Sequence, residues 1–277
     1  MAPTATKPAS NPSGCPVHAL LEWREAGAIV PRLAVLGFGL AAYAAFFVTF
    51  LYAIGFTTGL VVPKSINDGA VVGVVSSLLV NAGLLAAFVV QHTIMARPRF
   101  KAWVTRFIPE SIERSLFVLL ASACLAATFW LWRPLPGTLW SVQAAWLWWT
   151  ITSVALLGWG VVLFSSFMVS HFDLFGVRQV ATNAMGRAYE PVSFRLVGFY
   201  RLVRHPLMTG FLIAFWITPE MTLGHLFFAV MCTGYIVLGT KIEERDLIAS
   251  FGERYLVYRR STPGLIPNPW HGRGRRA

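Results

Sequence analysis

Charge is what this chain has least of. Only 13% of its 277 residues are Asp, Glu, Lys or Arg, against about a quarter in an average soluble domain. Carboxylates are the scarcer sign, 12 against 23 Lys and Arg, which leaves a formal charge of +11. Cysteine is nearly absent too. Cys15, Cys124 and Cys232 lie far apart, with no CxxC and no Cys/His cluster, so a disulfide framework is excluded and no metal site is expected. The glycine-rich strand–loop–helix of soluble nucleotide-binding folds is missing, as is a Walker loop. No basic stretch runs directly into an apolar core near the start, so no cleavable signal peptide is expected. Residues 1–30 read as a flexible cytosolic tail.

What is abundant is hydrocarbon. Apolar residues make up 56% of the chain and mean hydropathy is +0.61, which excludes disorder and most soluble enzymes. A helix needs about 20 apolar residues to cross a bilayer. Four uncharged runs qualify: Leu33 to Val62, Ala70 to Gln91, Ser115 to Trp132 and Ala144 to Val169. The fold expected is an all-α integral membrane protein, with a four-helix transmembrane region over residues 31–169. The apolar stretch from Pro206 to Gly239 is interrupted by Pro219–Glu220. Its first leg, Leu207 to Thr218, would be roughly 18 Å of helix, short of the hydrocarbon thickness. A helical hairpin over 206–240 is therefore expected, entering and leaving on one side, which makes five to six membrane segments in all.

Charge placement supports this count. The segments 1–32, 63–69, 92–114, 133–143 and 170–205 carry 3, 1, 5, 1 and 5 Lys/Arg, and 240–277 carries eight. By the positive-inside rule the N-terminus faces the cytoplasm, and the basic C-terminal region does so only if 206–240 crosses an even number of times. The basic excess is then topogenic, so the lipid bilayer, and not nucleic acid, is the expected partner. The expected location is a bacterial inner membrane, with both termini cytoplasmic and no obligate protein partner. Residues 170–267 form the candidate catalytic and cofactor region, followed by a basic tail at 268–277.

Two stretches carry chemistry. In Tyr200-Arg201-Leu202-Val203-Arg204-His205-Pro206…Gly210, proline suits the first position of a helix. Arg204 and His205 then stand at a helix N-terminus, where free N–H groups and the dipole favour an anion. An anion-binding corner and a lipid-headgroup anchor fit equally. Downstream, Glu244, Leu247, Phe251, Tyr255 and Tyr258 recur at spacings of 3, 4, 4 and 3. Those spacings predict one face of a cytosolic amphipathic helix with a carboxylate at its head.

Together these stretches resemble the isoprenylcysteine carboxyl methyltransferase-like family of membrane methyltransferases. The shared pattern is Arg-His-Pro with a glycine four residues on, a hairpin, Glu243-Glu244, then Phe251-Gly252…Tyr255…Tyr258; the family's usual tyrosine two residues after the proline is Met208 here. The resemblance implies S-adenosylmethionine as cofactor, with Tyr200, Arg204, His205, Pro206, Gly210, Glu243, Glu244, Tyr255 and Tyr258 around it. Gln91-His92…Arg97-Pro98-Arg99, Glu113-Arg114-Ser115 and His171-Phe172-Asp173-Leu174-Phe175-Gly176-Val177-Arg178 are similar to the membrane-bound methanethiol S-methyltransferases. That resemblance implies a small volatile thiol as substrate. Alternatives left open are a larger acceptor, such as a prenylcysteine carboxylate or a lipid amine, and a non-catalytic or transport protein.

Methylating a thiol requires alignment of sulfur and methyl, and a thiolate. With a thiol pKa near 10, roughly one molecule in a thousand is ionised at pH 7, a deficit of about 4 kcal/mol. His92 and His171 are the candidate bases, with Asp173 and Arg178 beside His171. Arg97, Phe172 and Phe175 are the candidate substrate contacts. His171 and Asp173 are two apart and do not share a helix face, so their cooperation would need a loop. Gly55-x-x-x-Gly59 is a further, weak helix-packing signal.

Overall fold

The computed structural model describes residues 16–193 and 195–268. Within them the chain is an all-α integral membrane protein with one small strand pair. Helix α1 (Pro16–Thr58) passes through Pro31 without ending, so residues 16–30, expected as a loose tail, continue the first helix. Then come α2 (Val74–Met95), the short α3 (Pro98–Val104) and α4 (Glu110–Leu131). Glu110 and Glu113 in the first turn of α4 complement its dipole. Strand β1 (Thr138–Ser141) precedes α5 (Ala145–Val169), and the short helices α6 (His171–Leu174) and α7 (Val177–Ala184) follow. A single 3₁₀ turn at Gly198–Arg201 leads to α8 (Pro206–Trp216), β2 (Glu220–Thr222), α9 (Leu223–Phe251) and α10 (Glu253–Ser261). Among the described residues, α2, α4, α5, α9 and the Pro31–Thr58 part of α1 are long and apolar enough to span a bilayer.

The helices run alternately up and down, so the loops gather at two ends. One end is polar and holds α3, α6, α7, α10 and the segment before α8. The other is sewn together by backbone. Strand β1, from the α4–α5 loop, pairs antiparallel with β2 at the tip of the hairpin. The Asn81 side chain both donates to Arg133 O and accepts from Arg133 N, at 2.7 and 3.0 Å.

The hairpin tip therefore lies level with the far ends of α4 and α5, and the hairpin reaches the full depth of the bundle. Eleven helical residues supply about 17 Å. The chain then leaves the helix at Ile217 in extended form, climbing about 3.3 Å per residue instead of 1.5. That is the length missing from the sequence estimate, which treated the whole leg as helix.

The second leg runs beyond the hairpin expected over 206–240. Helix α9 starts with Thr222 as its cap, the hydroxyl accepting from His225 N at 3.1 Å, and continues through 240 to Phe251. The amphipathic helix expected from Glu244 to Tyr258 is therefore two helices. Gly252 breaks it at φ +54°, ψ −132°, a conformation that only glycine adopts without strain.

Helix α8 packs closely along α5. A Cβ on Gly210 would stand 2.7 Å from Gly158 O, and one on Gly158 would stand 2.9 Å from Gly210 O. The two glycines let the backbones touch. Gly55 does something else: its missing Cβ leaves room for Val62 and Leu60 O of the following turn. The larger core cluster, Phe56, Leu85, Phe129, Trp132, Trp159, Phe215 and Phe228 among others, fills the end nearer the strands. A smaller one, built on Met95, Phe117 and Val118, sits under the polar end.

Candidate active site

At the polar end the two chemistry-bearing stretches converge. Pro206 opens α8 at its first position and His205 precedes it. One turn beyond the apolar part of α9, Glu243 and Glu244 face them. Glu244 Oε1 receives Arg204 Nε at 2.8 Å and Nη2 at 2.6 Å, and His205 Nε2 at 3.2 Å. Its other oxygen meets Arg259 Nε of α10 at 3.3 Å. His205 Nδ1 lies 3.4 Å from Glu243 Oε2.

The anion expected at this helix N-terminus is thus supplied by the protein itself. His205 is buried and Arg204 and Glu244 are nearly so, whereas Glu243 and Arg259 are each about half exposed, at 51% and 49% of their side chains. Burial alone would lower the pKa of His205; the carboxylates of Glu243 and Glu244 outweigh it and hold the imidazole above its ordinary value.

The same corner grips the segment after α10. Arg204 Nη1 donates to the carbonyls of Arg259, at 3.1 Å, and Thr262. Arg204 N and His205 N donate to Pro263 O and Gly264 O at 2.8 and 3.2 Å. The Thr209 hydroxyl donates to Leu265 O. Tyr258 donates its hydroxyl to Tyr200 O, and its ring meets Tyr255 edge-on at 5.8 Å. Burial, then neighbouring Glu243, pushes the Tyr200 phenol up; burial, then Glu244, raises that of Tyr255 to about 12. Neither phenol ionises in the neutral range. Of the nine residues expected around the cofactor, eight share this corner, and Gly210 serves the α5–α8 contact one turn away.

The candidate catalytic residues fall into separate places. His171 is 3% exposed, with Nε2 2.9 Å from the Tyr43 hydroxyl and Nδ1 2.7 Å from Ser166 Oγ. Its ring stacks on Phe167 at 4.2 Å and 6°. Burial lowers its pKa, so it is neutral at pH 7. Asp173, two residues on in α6, turns away to Arg178 at 3.3 Å and to the Tyr189 hydroxyl at 2.9 Å. The expected cooperation of His171 with Asp173 and Arg178 is absent, because both residues sit in one short helix and point apart. Phe175 stacks on Phe46 at 3.7 Å, and Phe172 lies edge-on to His171 while half exposed.

His92 packs among Phe88, Phe117 and Tyr235, with its Nδ1 buried and free of hydrogen bonds. Arg97 pairs with Asp246 of α9 at 3.0 Å. It also lines an open groove of about 690 Å³ with Ile94, Pro98, Arg99 and Phe100.

Sequence reasoning missed Tyr43, Ser166 and Arg259. Tyr43 is a lone phenol in an apolar run 128 residues from its histidine. Ser166 stands five residues before its histidine, across the break between α5 and α6, a spacing that no helical period picks out.

The two polar centres share the last turns of α5. Ser166 holds His171, and Met168 Sδ accepts from Phe199 N at 3.3 Å, next to Tyr200 and its Tyr258 contact. Ser166 and Met168 stand two apart on α5, so the two centres lie at the same level of the bundle on different faces of that helix.

No family profile matches the chain, and no solved structure does. Curated proteins do. Methanethiol S-methyltransferase 2 of Bradyrhizobium diazoefficiens is 48% identical over 238 residues, covering 85% of this chain and 91% of that protein. Methanethiol S-methyltransferase 1 of the same organism is 47% identical over 83% of this chain and 81% of its own. Methanethiol S-methyltransferase of Mycobacterium tuberculosis is 46% identical over 245 residues, 86% of this chain and 98% of that one.

Proposed function

The chain belongs to the methanethiol S-methyltransferase family, and from that premise we propose that it methylates methanethiol to dimethyl sulfide, using S-adenosylmethionine at the cytosolic face of the membrane. The observation that carries this reading is the meeting of Arg204–His205 with Glu243–Glu244 under the segment after α10. A small volatile thiol and its thioether are both soluble in hydrocarbon, which gives the reaction a reason to sit in a bilayer.

The donor set fits the proposed cofactor. Glu243 and Arg259, the half-exposed members of the cluster, carry opposite charges on its open side. The amino-acid end of S-adenosylmethionine carries an ammonium and a carboxylate, which match that pair. The rings of Tyr200, Tyr255 and Tyr258 are an aromatic wall suited to a sulfonium cation. When bound, the cofactor supplies an electrophilic methyl group. Arg204, His205 and Glu244 act on the protein instead, locking α8, α9 and the segment after α10 in place so that the open side stays formed. The polar end carries the Lys/Arg-rich segments, which by the positive-inside rule supports a cytoplasmic orientation for it and for both termini, in a bacterial inner membrane.

Two measurements test this. Cells expressing the chain and fed methanethiol should release dimethyl sulfide into the headspace; release no higher than from a vector control removes the substrate. Purified protein should bind radiolabelled S-adenosylmethionine, and Glu243→Gln and Arg259→Gln should each weaken binding at least tenfold while the melting temperature is kept. Unaltered affinity in both moves the cofactor elsewhere.

A further inference from the structure

His171 carries a neutral imidazole, yet a thiol cannot touch it. It is buried and both of its ring nitrogens are taken. The hydrogen bonds fix their direction. Ser166 has one hydroxyl hydrogen, which it gives to Leu163 O at 2.6 Å. Its oxygen therefore accepts from His171 Nδ1–H. Nε2 is then the lone-pair nitrogen and accepts the Tyr43 hydroxyl hydrogen at 2.9 Å.

The lone pairs of Tyr43 Oη receive no other hydrogen bond among the described residues. Around Tyr43 lie Phe47, Phe167 and Phe172, which are 39%, 52% and 51% exposed on the outer face of the bundle. They form an apolar rim that a small thiol can enter from the lipid.

We propose that Tyr43 is a catalytic residue and His171 its proton sink, a two-step relay held in register by Ser166 and Leu163 O. This rests on the methanethiol reading. The thiol S–H gives its proton to Tyr43 Oη as Tyr43 gives its own to His171 Nε2. The sulfur forms its bond to the transferred methyl, and the methyl's bond to the donor sulfonium breaks, both of those electrons staying on the donor sulfur. One proton then sits on His171 and the thioether is neutral. His171 hands the proton back through Tyr43 Oη, its Nε2 partner, and on to water before the next turnover. Asp173, Arg178 and Arg114, the charged groups on the neighbouring elements, are engaged with one another or with Leu174 O. No carboxylate among the described residues lies within ion-pair distance of His171, so its low pKa favours release.

The test uses the full-length chain in nanodiscs, with saturating S-adenosylmethionine and dimethyl sulfide measured from pH 6 to 9.5. The wild-type rate should be level through the neutral range, where burial keeps His171 neutral. Tyr43→Phe should lose at least tenfold at pH 7 and then gain about tenfold per pH unit, because only pre-ionised thiol reacts. 2,2,2-Trifluoroethanethiol, a small acidic thiol, should restore most of that loss. Ser166→Ala, a milder change, should show a several-fold loss with the same slope. Independently of turnover, ¹⁵N resonances of His171 in donor-free protein should report the Nδ1–H tautomer and shift in Tyr43→Phe. A wild-type-shaped pH profile in both variants, or an Nε2–H tautomer in the wild type, overturns the relay. Wild-type protein inactive on both thiols overturns the functional reading, and the relay with it.

Discussion

Glu244 collects three cationic side chains within 3.3 Å, from α10 and from either side of the peptide bond that opens α8. Removing Arg204, the least exposed arginine of the set, costs about 3–5 kcal/mol, mostly from the charge left behind, whereas half-exposed Arg259 contributes little. His205 makes the arrangement pH-dependent. Its folded pKa lies above the ordinary imidazole value, so its contribution is complete below pH about 6.5 and fades as pH rises through the folded value. The melting temperature of wild type should exceed that of His205→Asn by the widest margin near pH 6, and the gap should narrow toward pH 8.5. A pH-independent gap would assign His205 a packing role only. Arg204 and His205 were visible in the sequence as a corner awaiting an anion, and Glu244 as the carboxylate at the head of an amphipathic face. Their mutual neutralisation was not, because 39 residues separate His205 from Glu244 and nothing local records the distance.

At the scale of elements, the spans were legible because hydrocarbon thickness demands long uncharged runs, and each of the four found its helix. The C-terminal helix was misread for an equally physical reason. Tyr255 and Tyr258 keep helical spacing from Glu244, and glycine inside a helix costs only about 1 kcal/mol, so periodicity alone ran through Gly252. The close α5–α8 contact gives a sharper expectation. Gly210→Ala places a methyl against Gly158 O and Val162 N, both backbone atoms that cannot move aside. Overpacking of this kind costs about 1–3 kcal/mol, and thermal unfolding in detergent should show it. Gly160, which has open space at its Cβ position, is the control: Gly160→Ala should raise the transition slightly, by up to about 1 kcal/mol of stability.

For the whole molecule, the two ends differ in how they are held. One is closed by backbone pairing of β1 with β2, the other by side-chain charge. The alternation of basic loops foretold that polarity, but not the strand pair, since Thr138–Ser141 and Glu220–Thr222 carry no pattern beyond flanking turns. Single cysteines at Ser141 and Arg201, both exposed and at opposite ends, test the orientation in a background lacking native cysteines. A membrane-impermeant maleimide added to intact cells should label Ser141→Cys. Arg201→Cys should react only after lysis, and the reverse pattern would invert the topology.

Arg204 leaves the ribosome 58 residues ahead of the Thr262 carbonyl it holds. Throughout that interval its guanidinium has water or lipid phosphate for company while α8 and α9 are threaded into the bilayer. Insertion must therefore precede docking, and a newborn chain carries every span before it carries a closed polar corner.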